Sequence, residues 1–194
     1  MPNWCLNTVT LEHKDPAMIA RALTAYEEGK LLNEFIPCPD PEDWYNWNVN
    51  NWGTKWDIGG NDCDVQEFPG GLVLTFDSAW SPPTGAYSTL MGLGFTVLAM
   101  YYEPGMAFAG VWDNGNDDYY EYGGMTADEI ENTLPEELDE AYCISQSVSE
   151  WEQEQEEENL EIDLDGGLSA VNEQEVDDEP FDYDKPFDWE SKEV

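Results

Sequence analysis

Acidic side chains recur at every second position in three stretches of this 194-residue chain: Glu150, Glu152, Glu154 and Glu156; Glu161, Asp163 and Asp165; and Glu173, Glu175 and Asp177. On an extended strand this spacing sets same-face carboxylates about 6.6 to 6.8 Å apart, comparable to neighbouring phosphates along one DNA strand. On a helix, Glu150, Glu154, Glu157, Glu158 and Glu161 form a similar row by i, i+3 and i+4 spacing. Either geometry offers a ladder of fixed negative charge to a cationic surface. Asp117, Asp118 and Glu121, in the run D-D-Y-Y-E-Y, make a second acidic patch.

The charge of the whole chain supports the same reading. Forty-four Asp and Glu against six Lys and Arg leave a formal charge of -38. A duplex carries one charge per ~1.7 Å of axis, so this is the charge of roughly 65 Å of DNA, or about nineteen base pairs. Residues 1 to 112 hold 14 acids and 4 bases, residues 113 to 194 hold 30 acids and 2 bases, and no Lys or Arg lies between Lys55 and Lys185. Surfaces normally intersperse both signs, so a one-signed stretch of this length forgoes ion pairing for some other end. The balance excludes direct binding to bare nucleic acid or an anionic membrane, both of which need a positive surface. The bland alternative is a solvated acidic tail or the surface of a salt-adapted protein. Against it stand an apolar fraction of 41% and an aromatic fraction of 13%, typical of a folding chain, and a first half that is only moderately acidic.

Other chemistries find little footing. Cys5, Cys38, Cys63 and Cys143 lie far apart with only His13 to join them, so no zinc site and no other metal or cofactor is expected. Ser78 and Ser81 lack a nucleophile elbow, and Gly92-Leu93-Gly94 is too short and too late in its helix to cradle phosphate. The segment from Asp113 to Asp118 departs from a calcium loop, which needs Gly sixth and Glu twelfth where this chain has Asp118 and Gly124; it reads as a tight Asn-Gly turn. Trp44, Trp47, Trp52 and Trp56 form either a core plug beneath a loop or a stacking platform, and Lys55 between them suits a cation over a ring face. No enzyme signature survives. With no basic and apolar leader and no stretch of ~18 apolar residues, the expectation is a soluble protein of the reducing cytoplasm.

These groups need a frame. Trp4 to Leu11 alternates like a strand, and Asp15-Pro16 opens an amphipathic helix that ends near Gly29. Residues 37 to 57 read as a long structured loop. Val65 to Phe68 and Leu72 to Asp77 form a hairpin around Pro69-Gly70-Gly71, Pro82-Pro83 opens a helix to Leu93, and Phe95 to Glu103 pairs with Met106 to Trp112. Asp117 to Tyr122 adds an edge strand. The order β-α-β-β-α-β predicts an α+β, ferredoxin-like sandwich with two helices on one face of an antiparallel sheet. Beyond it, Thr126 and Glu129 make a capping box, Pro135 interrupts the helix, a second helix runs from Glu136 to Glu158, and Leu160, Ile162 and Leu164 alternate with acids as a strand. The expected division is a domain of residues 1 to 122, an acidic extension of 123 to 167 and an aromatic, acidic tail of 168 to 194.

Three stretches together carry a resemblance. Met1-Pro2-Asn3-Trp4-Cys5 with Asn7 and Val9, Asn51-Trp52-Gly53-Thr54-Lys55-Trp56-Asp57, and Phe76-Asp77-Ser78-Ala79-Trp80-Ser81-Pro82-Pro83 resemble the YubB-type ferredoxin-like family of bacteriophages and conjugative plasmids, over about residues 1 to 122. Tyr102-Glu103-Pro104-Gly105 followed by Phe108-Ala109-Gly110 fits it too. The resemblance implies the βαββαβ fold and a mobile-element origin, and no catalytic residues.

The expected function is therefore that of a phage or plasmid accessory protein. It would act as a DNA mimic, occupying the basic groove of a host nucleic-acid-binding defence protein such as a restriction or CRISPR nuclease. Glu150, Glu152, Glu154, Glu156, Glu161, Asp163 and Asp165 are its main partner-binding residues, with Asp117, Asp118 and Glu121 as the second patch. The alternative is an adaptor whose repeat Pro180-Phe181-Asp182-Tyr183-Asp184 and Pro186-Phe187-Asp188-Trp189-Glu190 recruits a partner without mimicry.

Overall fold

The computed structural model describes residues 3 to 60 and 64 to 165, with side chains as far as 157. In chain order the elements are β1 (Trp4–Glu12), α1 (Pro16–Glu27), α2 (Leu31–Phe35), α3 (Trp44–Asn51), β2 (Asp64–Phe68), β3 (Gly71–Ala79), α4 (Thr84–Gly92), β4 (Thr96–Glu103), β5 (Phe108–Asp113), β6 (Asn116–Glu121), α5 (Ala127–Thr133), α6 (Glu136–Tyr142) and α7 (Ile144–Asp165). The protein is α+β, built on one six-stranded sheet in the order β2-β3-β1-β4-β5-β6. Every neighbouring pair is antiparallel. Met1–Gln153 forms one compact unit and the chain from Glu154 a second, of which the described part is the continuing α7.

Strand alternation supplies two apolar faces. In β4, Val97, Ala99 and Tyr101 are buried on one side while Met100 and Tyr102 point to the other. The first side joins Val9, Leu11, Leu72, Leu74 and Phe76 to Tyr26, Leu31, Leu32, Tyr87 and Leu90 of α1, α2 and α4. The second side of β4, β5 and β6 is covered by the acidic helices. Ala109, Tyr122, Ile130, Leu134, Leu138 and Ile144 form a separate core, and Met100, Tyr102, Val111 and Tyr120 pack against it. Ile130, Leu138 and Ile144 have no exposed surface, and burying each contributes roughly 1.5 to 3 kcal/mol. Tyr102 stacks on Tyr122 and Tyr142 at 6.1 and 5.4 Å, and the Tyr142 hydroxyl donates to the Met100 carbonyl at 2.8 Å.

The strands expected up to Tyr122, the hairpin, the capping box and the break at Pro135 are present, with the Asn-Gly turn closed by positive φ at Asn114 and Gly115. Three local expectations are corrected and one further helix is added. The 37 to 57 segment contains α3, which has no apolar period and is held by tertiary contacts: Asn48 donates to the Lys55 carbonyl at 3.0 Å and Trp47 packs edge-on against Trp52. The short α2 supplies Leu31, Leu32 and Phe35 to the core without a sequence cap. The expected Glu136 to Glu158 helix is two helices, because Cys143 adopts the left-handed conformation (φ 51°) and ends α6. Residues 160 to 165 are helical, not a strand, because three alternations are a short signal and the Glu- and Leu-rich run favours helix continuation.

Candidate functional site

The acidic surface starts at β6, where alternation separates the residues of the second patch. Asp117, Tyr119 and Glu121 face the α1–α4 side, while Asp118 and Tyr120 face the other. The expected trio is thus two carboxylates on one face and one on the opposite face. After Tyr122, Thr126 begins α5: its backbone N donates to Glu129 at 2.9 Å and the Glu129 N donates back to the Thr126 hydroxyl at 3.3 Å. Asp128 and Glu129 in the first turn complement the helix dipole. Pro135 then starts α6, whose first turn holds Glu136, Glu137 and Asp139. Half-buried Asp139 caps the next helix by accepting from the Ser145 N at 2.7 Å and from its hydroxyl.

Glu131, Glu136 and Glu140 stand exposed around a concavity of about 570 Å³ that Asp139, Cys143, Ser145 and Gln146 also line. None of these acids pairs with a cation among the described residues. Among the described residues the ion pairs are Arg21–Glu34, at 2.6 Å, and Lys30–Glu28, both near the first helices. The sequence places no Lys or Arg at all from 56 to 184.

On α7, Glu150 is exposed and accepts from Gln146 at 2.8 Å, Glu152 is half-buried, and Glu154 and Glu156 are exposed. A helix turns about 100° per residue, so Glu150 and Glu152 point to opposite sides, as do Glu154 and Glu156. The alternating ladder expected for these residues is therefore not formed, because the segment is a helix and not a strand. Glu161, Asp163 and Asp165 lie on the helical backbone with side chains outside the described residues. Glu173, Glu175, Asp177, Cys63 and the 180 to 190 repeat lie outside the described residues altogether. Val148 packs towards the second core, whereas Trp151 is 60% exposed. The acids of α5 and α6 were missed as site residues, although the capping box and the run E-N-T-L-P-E-E-L-D-E marked a short, charged helical pair.

A second cluster brings the tryptophan motifs together. The Thr54 hydroxyl accepts from the Ala79 N at 3.0 Å and donates to its carbonyl, and the Ser81 hydroxyl donates to the Gly53 carbonyl at 2.6 Å. Trp80 has a left-handed backbone (φ 68°), and its N donates to the Asn3 carbonyl at 2.9 Å. Buried Trp52 donates to the Ile36 carbonyl at 2.9 Å, so Trp47 and Trp52 are the core plug. Trp4, Trp44, Tyr45, Trp56 and Trp80 remain exposed. Lys55 sits over their rings as expected, its Nζ 4.5 Å from Trp56 and 5.5 Å from both Tyr45 and Trp80.

Beside Trp80 opens a cavity of about 400 Å³ lined by Gly53, Trp80, Ser81, Pro82, Thr84, Tyr101, Phe108, Asp117 and Tyr119. The Tyr101 hydroxyl crosses β5 to donate to Asp117 Oδ1 at 2.7 Å. Burial raises its pKa, so it stays a proton donor throughout the physiological range. Gly110 makes the crossing possible, because a Cβ there would stand 2.2 Å from the Tyr101 hydroxyl.

No group of three or more metal-ligating side chains occurs among the described residues, and none of their helices is long and apolar enough to cross a membrane. No protein-family model matches the chain, and no curated protein matches it. Among solved structures it is similar to the protein api92 from Yersinia pseudotuberculosis, of family DUF1281, with 21% identity and a TM-score of 0.36. That similarity covers 48% of this chain and 39% of the other.

Proposed function

We propose that this protein binds a basic protein and takes the place of nucleic acid in its groove, the partner being a host nucleic-acid-binding defence protein. The observation that carries the reading is a set of unpaired carboxylates on a folded frame. Glu131, Glu136, Glu137, Glu140 and Glu150 are exposed on helices whose apolar side is locked to the sheet by Ile130, Leu138 and Ile144, and none of them pairs with a cation among the described residues. Like charges gathered without partners repel one another, so the arrangement spends stability. It is favoured where a cationic cleft supplies the missing charge. Opposite charge speeds encounter, and carboxylates held in place lose less ordering entropy on binding than those of a flexible tail.

The fold reading that accompanies it is a ferredoxin-like core with a two-strand extension. Its support is the order β1-α1-β2-β3-α4-β4, the spatial order β2-β3-β1-β4 and antiparallel pairing throughout. A mobile-element accessory role follows from the YubB-type resemblance.

The experiment is affinity capture from bacterial lysate by the full chain and by a variant with Glu131, Glu136, Glu137, Glu140 and Glu150 changed to Gln. The expected result is a nucleic-acid-binding protein retained by the native chain, released by salt and absent from the variant. Equal retention by the neutralised variant contradicts the reading.

A further inference from the structure

The geometry points to the cavity beside Trp80 as a receptor for one arginine side chain of the basic partner, its guanidinium against the aromatic walls and paired with Asp117. This deepens the proposed function and rests on it for the source of the arginine, while the chemistry of the pocket is testable without the partner.

Four observations support it. Asp117 is held: Oδ1 accepts the Tyr101 hydroxyl at 2.7 Å, and no donor among the described residues occupies Oδ2. The walls are rings, with Phe108 5.3 Å from Tyr119 and 6.3 Å from Tyr101, and with Trp80 and Tyr119 39% and 50% exposed. Ring faces attract cations, and Trp80 already lies 5.5 Å from the Lys55 ammonium. No Lys or Arg lines the cavity, so its carboxylate has no cationic partner of its own. Trp80 keeps a left-handed backbone (φ 68°), a conformation unfavourable for a non-glycine residue that persists where surrounding structure holds it and that clusters at functional sites.

The ligand class follows from charge and shape. A formal charge of -38 repels anions and gathers cations at the surface. Between cations, a planar guanidinium can stack on a ring and present two N–H groups to a carboxylate, whereas an ammonium is a hydrated point charge. Volume agrees: about 400 Å³ lies near the lower end of ligand-sized pockets.

The test titrates the isotope-labelled full chain with N-acetyl-arginine amide and, in parallel, with the uncharged isostere N-acetyl-citrulline amide, following indole and backbone resonances. The expected result is saturable shifts at the Trp80 indole and at residues 117 to 119 with the arginine probe alone. Asp117→Asn should weaken binding at least ~10-fold, since it removes the charge from a charge-assisted pair. Glu67→Gln, on β2 at the opposite edge of the sheet, should leave binding unchanged. Equal binding of citrulline, an unaffected Asp117→Asn, or shifts spread evenly over α5 to α7 would overturn the inference. If the arginine probe fails while a basic protein is still captured in a salt-sensitive manner, the pocket is wrong and the proposed function stands. If the probe binds and no basic partner is captured, the reverse holds.

Discussion

The helices on the two sides of the sheet differ in how their charges are answered. On the α1–α2 side Arg21 pairs with Glu34 at 2.6 Å, its guanidinium lies 4.6 Å over the Phe35 ring, and Lys30 pairs with Glu28. On the α5–α6 side the packing is equally apolar at its base, yet every exposed charge is negative and none pairs with a cation among the described residues. The contrast separates two demands on one fold. Burial holds both layers to the sheet, and the ion pairs among the described residues occur only on the first.

The largest effect is expected at the base of the acidic layer. Leu138→Ala or Ile130→Ala removes a fully buried side chain, and denaturant unfolding should show a loss of about 2 to 5 kcal/mol. A loss under about 1 kcal/mol would mean that α5 and α6 merely decorate the sheet.

Alkaline pH gives a second probe, since each core holds a group whose neutral form is favoured. Burial pushes the Cys5 thiol from 9.0 to about 12 and the Tyr142 hydroxyl from 10.0 to about 12. Between those values the unfolded chain sheds the proton first, so the folded state holds more protons and stability falls as pH rises. The slope is about 1.4 kcal/mol per pH unit for each proton of difference. Melting temperatures followed from pH 8 to 12 should decline from about pH 9 onward. Tyr142→Phe should make the part above pH 10 less steep by one proton, the slope from buried Tyr87, Tyr101 and Tyr122 remaining.

Gly110→Ala tests the crossing of Tyr101 over β5 to Asp117, since its Cβ would meet the Tyr101 hydroxyl at 2.2 Å and the Asp118 carbonyl at 2.8 Å. A loss of about 1 to 3 kcal/mol is expected in thermal unfolding, with displaced resonances at Asp117. Thr126→Ala should cost least, about 1 kcal/mol, by removing the cap of α5.

Much of this frame was legible in the sequence, because β-alternation, Pro and Gly punctuation and the Thr126–Glu129 box act through local geometry. The concentration of charge after Trp112 was legible from counting alone. Three features were not. α3 depends on Asn48 reaching Lys55 and on Trp47 meeting Trp52, which no local pattern encodes. The break between α6 and α7 rests on left-handed Cys143, a residue type that seldom marks a helix end. The acid alternation around residue 150 matched a strand's period, but the backbone there is helical and the spacing lost its meaning. The cavity beside Trp80 joins residues from 53 to 119 on three strands, α4 and two loops, so only the fold shows that Asp117 has aromatic neighbours.

The most direct measurement is competition. A captured basic-grooved protein is loaded with labelled duplex DNA, and the full chain is added at 50 and at 200 mM salt. The account predicts displacement of the duplex with no ternary complex, and an affinity that falls roughly 10³-fold or more between the two salts, as for a ligand making six or more phosphate-like contacts. A stable complex of chain, protein and duplex together, or an affinity indifferent to salt, would contradict it.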